Sequence, residues 1–209
     1  MRLLPCGDHA ILVEVEDASQ RRRLDATLRR QPLPHVVEHV PAARTVLVRV
    51  ESPSDLPTVA ERLRSLDLLT DDGAATSQDD VLRIEVRYEG PDLADVARHL
   101  GVEPAEVVTR HTRQVWTVEF CGFAPGFGYL VGDDGSLDVP RRDSPRTRNP
   151  AGSVGLAGPY TGVYPRASPG GWQIIGRTDA AMWDAHRDPP ALLTPGRRVE
   201  FVDVTGVAG

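Results

Sequence analysis

The order of apolar and polar positions divides the chain into segments of different period. Ala10-Ile11-Leu12-Val13-Glu14-Val15 is rich in β-branched residues and predicts a strand. Ala18 to Arg30 is charged, with Leu24 and Leu28 four apart on one face, and predicts a helix. His35 to Val40 and Thr45 to Val50 are short β-branched runs, and Pro41-Ala42-Ala43-Arg44 between them suits a hairpin turn. A second helix is expected from Ser54, whose hydroxyl can cap it, with Leu56, Val59, Ala60, Leu63 and Leu66 at helical spacing. The order β-α-β-β-α is close to a ferredoxin-like half-sandwich.

Residues 70 to 80 hold no large apolar side chain and several acids, so they bury little surface and read as a linker. Beyond it, Leu82, Ile84 and Val86 alternate with Arg83, Glu85 and Arg87 in a strand from Val81 to Tyr88. Gly90-Pro91-Asp92 ends that strand. A helix is expected from Leu93 to Leu100 with Gly101 at its C-terminal end, and another from Glu103-Pro104 to about His111. From Gln114 onward the pattern is strands and glycine-proline loops, with Val115 to Phe120 the clearest strand and Arg198 to Val202 a closing one. Most glycines and prolines lie after residue 120, which favours an all-β barrel with elaborate loops over a parallel sheet with crossover helices. The division expected is an α+β domain over residues 1–76 and a β-barrel domain over 77–209.

Composition narrows the chemistry. With 40% hydrophobic and 26% charged residues the chain reads as an ordinary globular protein, and a net charge of −6 argues against a nucleic-acid backbone as partner. No apolar run approaches the ~18 residues of a membrane span, and Met1-Arg2-Leu3-Leu4-Pro5 lacks a secretory core, so a cytoplasmic location is expected. All 24 basic residues are arginine, which excludes a Schiff-base amine or a P-loop lysine. Cys6 and Cys121 suggest neither a disulfide framework nor a metal site and are expected to be small buried residues. Serine-elbow, zinc-protease, Walker and dinucleotide motifs are all missing from the sequence.

Four segments of the second half carry candidate chemistry. Gly122-Phe123-Ala124-Pro125-Gly126-Phe127-Gly128-Tyr129-Leu130 packs aromatics among glycines: the rings suit either a ligand wall or a rigid plug at the barrel end. Pro140 to Pro150 holds Arg141, Arg142, Arg146 and Arg148, whose guanidinium forks suit carboxylate or phosphate, or else form a solvated basic loop. In Ala151 to Gly162, small residues with Ser153, Gly158 and Thr161 offer either ligand-facing N–H and O–H groups or tight barrel packing. Tyr164 to Thr178 is a structured loop in which Trp172 either covers a ligand or anchors the loop. His111 near a helix C-terminus is expected to be cationic more readily there.

Taken together, Gly-Phe-Ala-Pro-Gly-Phe-Gly-Tyr-Leu at 122–130, Pro-Arg-Arg-Asp-Ser-Pro-Arg-Thr-Arg at 140–148, Pro-Ala-Gly-Ser-Val-Gly at 150–155, Thr-Gly-Val-Tyr-Pro at 161–165 and Ser-Pro-Gly-Gly-Trp-Gln-Ile-Ile-Gly-Arg-Thr at 168–178 resemble one family. It is the family of the B-type subunit of 5-oxoprolinase, also known as KipI or allophanate hydrolase subunit 1, and the resemblance covers nearly the whole chain. Asn149 stands where the family usually has an apolar residue, and Gly128 where proline is common.

The resemblance implies a ferredoxin-like N-terminal domain followed by a cyclophilin-like β-barrel. It also implies two partners in cleaving 5-oxoproline to glutamate. One is the C-type subunit of 5-oxoprolinase, of the allophanate hydrolase subunit 2 type, which shares a cleft with this chain, and the other is the A-type subunit. ATP is then a co-substrate, with Mg²⁺ held through its phosphates, and no tightly bound cofactor or metal is expected. Whether the isolated chain is active stays open. On this reading His111 and Arg146 are the catalytic candidates: Arg146 and Arg148, with the Gly126 and Gly158 backbone, face the anion, and His111 orients or transfers a proton. Phe127 and Tyr129 wall the pocket, with Phe123, Pro125, Arg141, Ser153, Thr161 and Trp172 as further binding candidates. Arg146→Ala should abolish ATP-dependent lactam opening and leave assembly intact. Two other roles go with the same family names: inhibition of a sensor histidine kinase, and an accessory part in allophanate or urea metabolism.

Overall fold

The structure is a computed structural model in which residues 1–68 and 81–206 are described. The expected linker at 70–80 lies outside them. The chain divides into two compact units, Met1–Ala75 and Thr76–Gly209.

In the first unit, β1 (Arg2–Pro5) and β2 (Ala10–Glu14) are followed by α1 (Ala18–Arg30), β3 (Val36–Pro41), β4 (Thr45–Val50) and α2 (Leu56–Ser65). Helix α1 starts where the Asp17 side chain accepts the Gln20 N–H at 2.7 Å, satisfying a donor that has no partner within the helix. The sheet order is β1-β2-β4-β3, all antiparallel, which is a ferredoxin-like sheet whose outer strand β1 comes from the start of the chain. Alternate residues Ile11, Val13, Val15, Val46, Val48 and Val50 meet Leu24, Leu28, Val59 and Leu63 of the helices in one core. Two expectations change here. The second helix is entered through a 3-10 turn at Pro53–Asp55, where the Asp55 carboxylate accepts the Ser52 N–H at 3.1 Å, so Ser52 and not Ser54 marks the cap. Cys6 is exposed, because it lies in the β1–β2 turn beyond the sheet's apolar face, while Cys121 is half-buried and reaches Leu193 O at 3.5 Å.

The second unit is a cyclophilin-like barrel. It runs β5 (Val81–Val86), α3 (Leu93–Leu100), α4 (Pro104–Thr112), β6 (Trp116–Cys121), β7 (Gly128–Gly132), β8 (Arg146–Asn149), β9 (Ser153–Ala157), β10 (Tyr160–Val163), β11 (Ser168–Gly170), β12 (Gln173–Arg177) and β13 (Arg198–Asp203). Seven strands pair in the order β12-β9-β10-β7-β6-β13-β5, with β5 and β13 parallel and the other pairs antiparallel. Reciprocal N–H to O bonds between Arg87 and Arg177, at 2.8 and 2.9 Å, join the end of β5 to β12 and close the ring. The seam is tight: a Cβ on Gly90 would fall 2.3 Å from Ile174 O, so only glycine lets the chain pass β12 there. Gly101 ends α3 at φ +67, the left-handed cap expected of it. Strands β8 and β11 form a separate two-stranded ribbon. Among the described residues no helix is long and apolar enough to cross a membrane.

Candidate functional site

Three groupings of side chains occupy the barrel, and the sequence candidates divide among them.

The first lies inside. His111, at the end of α4, is fully buried between Trp116 and Phe201, with ring centroids 5.0 and 4.5 Å away. Its Nδ1 is 2.7 Å from Tyr88 Oη, and its Nε2 is 2.8 Å from Thr161 Oγ1, which itself donates to Gly155 O at 3.2 Å. With the Thr161 proton given to Gly155, Nε2–H donates to Thr161 Oγ1, and in the neutral imidazole Nδ1 accepts the Tyr88 hydroxyl. Burial pushes the His111 pKa down to about 3, overriding the helix-end dipole that favoured a cation. His111 and Thr161 therefore complete a satisfied polar core, and His111 as placed has no surface from which to exchange a proton with a ligand.

The second grouping is centred on Asp92. This carboxylate is 1% exposed yet accepts four charged or polar donors: Arg142 Nη1 at 2.6 Å, Arg146 Nη1 and Nη2 at 2.6 and 2.7 Å, and the Ile174 N–H at 2.6 Å. The guanidiniums and the backbone donor hold the Asp92 pKa below the usual carboxylate range against the opposing effect of burial. Arg146, expected to meet a ligand with an open fork, thus spends the outer edge of its guanidinium on Asp92. Its Nε–H and one hydrogen on each Nη are not used on Asp92, and the residue lines a cleft of about 370 Å³. The cleft is framed by the Glu89–Pro91 turn, by β8 and the Pro150 turn with Ser153, and by Ile174 to Asp179. Arg148 lies on it with no ion pair among the described residues, as do Glu89 and the Arg177 side chain. Asn149, fully buried behind it, donates through Nδ2 to Gly170 O at 3.2 Å, which ties β8 to β11. A larger depression of about 550 Å³ runs along β5 and β13. Both of its arginines are already paired, Arg83 with Glu200 and Arg87 with Asp179, so it offers less to an anion.

The third grouping is aromatic. Phe127, 1% exposed, contacts Phe123, Tyr129, Tyr164 and Trp172 edge-on at 5.4, 5.0, 5.4 and 5.3 Å, and Tyr129 stacks on Phe120 at 4.4 Å. Phe127 and Trp172 are therefore a plug, not a wall. Of the candidate residues here, Phe123, Pro125 and the half-buried Tyr129 present surface, and Phe123 is held at φ +67, a strained conformation for an aromatic residue. Arg141, exposed, lies near the Tyr129 and Tyr164 rings and offsets the upward push of burial on both hydroxyls.

The two glycines expected to turn N–H groups toward an anion do not share a site. Gly126, at φ +83, lies where an added Cβ would fall 2.9 Å from Met182 O, and the Gly158 N–H donates to Val139 O at 2.6 Å. The candidates brought together at the cleft are Arg146, Arg148 and Ser153. Sequence reasoning missed Asp92, Glu89 and Arg177. An acid just ahead of a helix reads as a turn residue, and nothing local announces that Asp92 faces arginines some fifty positions later.

The profile of a family described as "Carboxyltransferase domain, subdomain C and D" matches residues 1–193 and defines the class of the fold. The chain is 42% identical over 204 residues to the B-type subunit of 5-oxoprolinase from Escherichia coli O157:H7, covering 94% of this chain and 93% of that one. It is 37% identical over 193 residues to the B-type 5-oxoprolinase subunit of Bacillus subtilis strain 168, covering 86% and 80%. Among solved structures, TTHA0988 superposes with a TM-score of 0.76 at 32% identity over 96% of this chain, which spans only 40% of the TTHA0988 chain. This chain belongs to the family of B-type 5-oxoprolinase subunits.

Proposed function

We propose that the protein is one subunit of an ATP-dependent hydrolase that opens 5-oxoproline to glutamate, and that the barrel cleft beside Arg148 receives the substrate carboxylate. The observation that carries this reading is a guanidinium unpaired among the described residues, next to a second whose charge is only partly offset, in a concave site of small-molecule size. A carboxylate in the cleft can take the fork of Arg148 and the inner edge of Arg146. Such a hold fixes the lactam ring while leaving its carbonyl free to react.

A five-membered lactam is an unactivated amide, so ATP, with Mg²⁺ on its phosphates, would supply the driving force by turning the lactam oxygen into a leaving group. The chain has no lysine and no phosphate-binding glycine loop. The nucleotide is accordingly assigned to a face completed by companion subunits of the C and A types. That most of the TTHA0988 chain lies outside the region similar to this protein supports a barrel that works beside further polypeptide. His111 on this reading keeps the barrel interior polar and neutral and does not move the proton.

Co-expression with its companion subunits, purification of the assembly and measurement of phosphate release test the proposal. Release that requires 5-oxoproline is expected. An assembly that hydrolyses ATP equally well without 5-oxoproline, or a chain that binds no companion, would contradict it.

A further inference from the structure

We infer that Asp92 is a positioning residue that presets the arginine loop and fixes the charge the cleft shows to its ligand. Only the identity of that ligand rests on the function proposed above. Asp92 stands where α3 begins, and its backbone N–H also bonds Ile174 O at 3.0 Å, so the residue is clamped to β12 at both ends. On this clamp its two carboxylate oxygens hold Arg142 and Arg146 at 2.6 to 2.7 Å. Arginine loses much rotamer freedom when it binds an anion, and here that loss is taken before any ligand arrives.

The geometry also sets the electrostatics. Two guanidiniums share one carboxylate, so the cluster keeps a surplus positive charge, and only Arg146 of the pair lines the cleft. Bidentate pairing uses one hydrogen from each Nη of Arg146 and leaves its Nε–H uncommitted to Asp92. On β8 the ligand therefore meets one constrained guanidinium, Arg146, and one without an ion pair among the described residues, Arg148, while Arg177 and Glu89 also line the cleft. Two donors of that kind suit a single carboxylate with a second polar oxygen. Without Asp92, three like charges on a single loop would repel and splay.

The test uses Asp92→Asn, which keeps the size and the acceptor for Ile174, and Arg142→Gln, which keeps the Asp92–Arg146 pair but removes the surplus charge. In the assembled enzyme, both variants should raise KM for 5-oxoproline about tenfold or more with kcat within about twofold. In parallel, phenylglyoxal labelling read by peptide mass spectrometry should find Arg148 reactive and Arg142 and Arg146 protected in the unmodified chain. Arg146 should lose that protection in Asp92→Asn and keep it in Arg142→Gln. A residue that only supports the fold would lower the thermal midpoint and leave both KM and the labelling order unchanged, which would overturn the proposal, as would equal labelling of the three arginines in the unmodified chain. If the unmodified assembly does not act on 5-oxoproline, the proposed function fails, and the labelling order still decides the role of Asp92.

Discussion

A guanidinium reads the same in a sequence whether it meets solvent, a ligand or a buried acid. Arg141, Arg142, Arg146 and Arg148 were legible as an anion-seeking group, but which of them is already satisfied depends on Asp92, brought to them by the closure of the barrel. His111 was legible as a helix-end residue, and there the local dipole and the burial act in opposite senses. Burial wins, because enclosing an imidazolium among Tyr88, Trp116 and Phe201 costs more than a helix end returns. Its folded pKa of about 3 lies below the ordinary value of 6.5, so the unfolded chain takes up a proton that the folded chain refuses as the pH falls through that interval. Stability should therefore drop on acidification from pH 6.5, by up to about 1.4 kcal/mol per pH unit from this one group. Carboxylates with depressed values, Asp25 and Asp92 among them, add losses of the same sign only below about pH 5. Urea unfolding between pH 6.5 and 5 tests this: the unmodified chain should lose more stability in that window than His111→Gln. Equal slopes in the two would remove His111 as the cause.

Elements with a strong period were legible and weakly patterned ones were not. Helix α1 and helix α3 have the bounds their apolar spacing predicts, Ala18–Arg30 and Leu93–Leu100. Strand β1 was missed because Arg2-Leu3-Leu4-Pro5 has no alternation of its own, and pairing with Ile11 to Glu14 imposes its conformation. The ribbon of β8 and β11 was missed for the same reason, since Arg-Thr-Arg-Asn and Ser-Pro-Gly have no apolar face. The seam beside β12 makes a sharp test of the packing account. Gly90→Ala drives a methyl group into the Ile174 and Ile175 backbone and should destabilise the barrel by about 2 kcal/mol or more. Gly122→Ala, whose added carbon would meet only the Tyr129 ring at 3.8 Å, should change stability by less than about 1 kcal/mol. Denaturant midpoints for the two variants give the comparison, and equal losses would show that the seam is not close-packed.

For the whole molecule, the ferredoxin-like sheet and the barrel followed from composition and period. The location of the cleft did not, because its lining comes from the Glu89 turn, β8, the turn before β9 and β12, which share no sequence pattern. The aromatic segment at 122–130, the most conspicuous stretch of the sequence, packs largely as a plug, with Phe127 and Trp172 inside. The cleft carries the guanidiniums of Arg146, Arg148 and Arg177, and of the two on β8 Arg148 is the one with no ion pair among the described residues. The measurement that bears on this most directly is KM for 5-oxoproline in the assembly carrying Arg148→Ala. Loss of a charged partner to a carboxylate should raise KM at least about tenfold while the assembly and its thermal midpoint are retained. An unchanged KM in that folded assembly would contradict the placement of the substrate in this cleft.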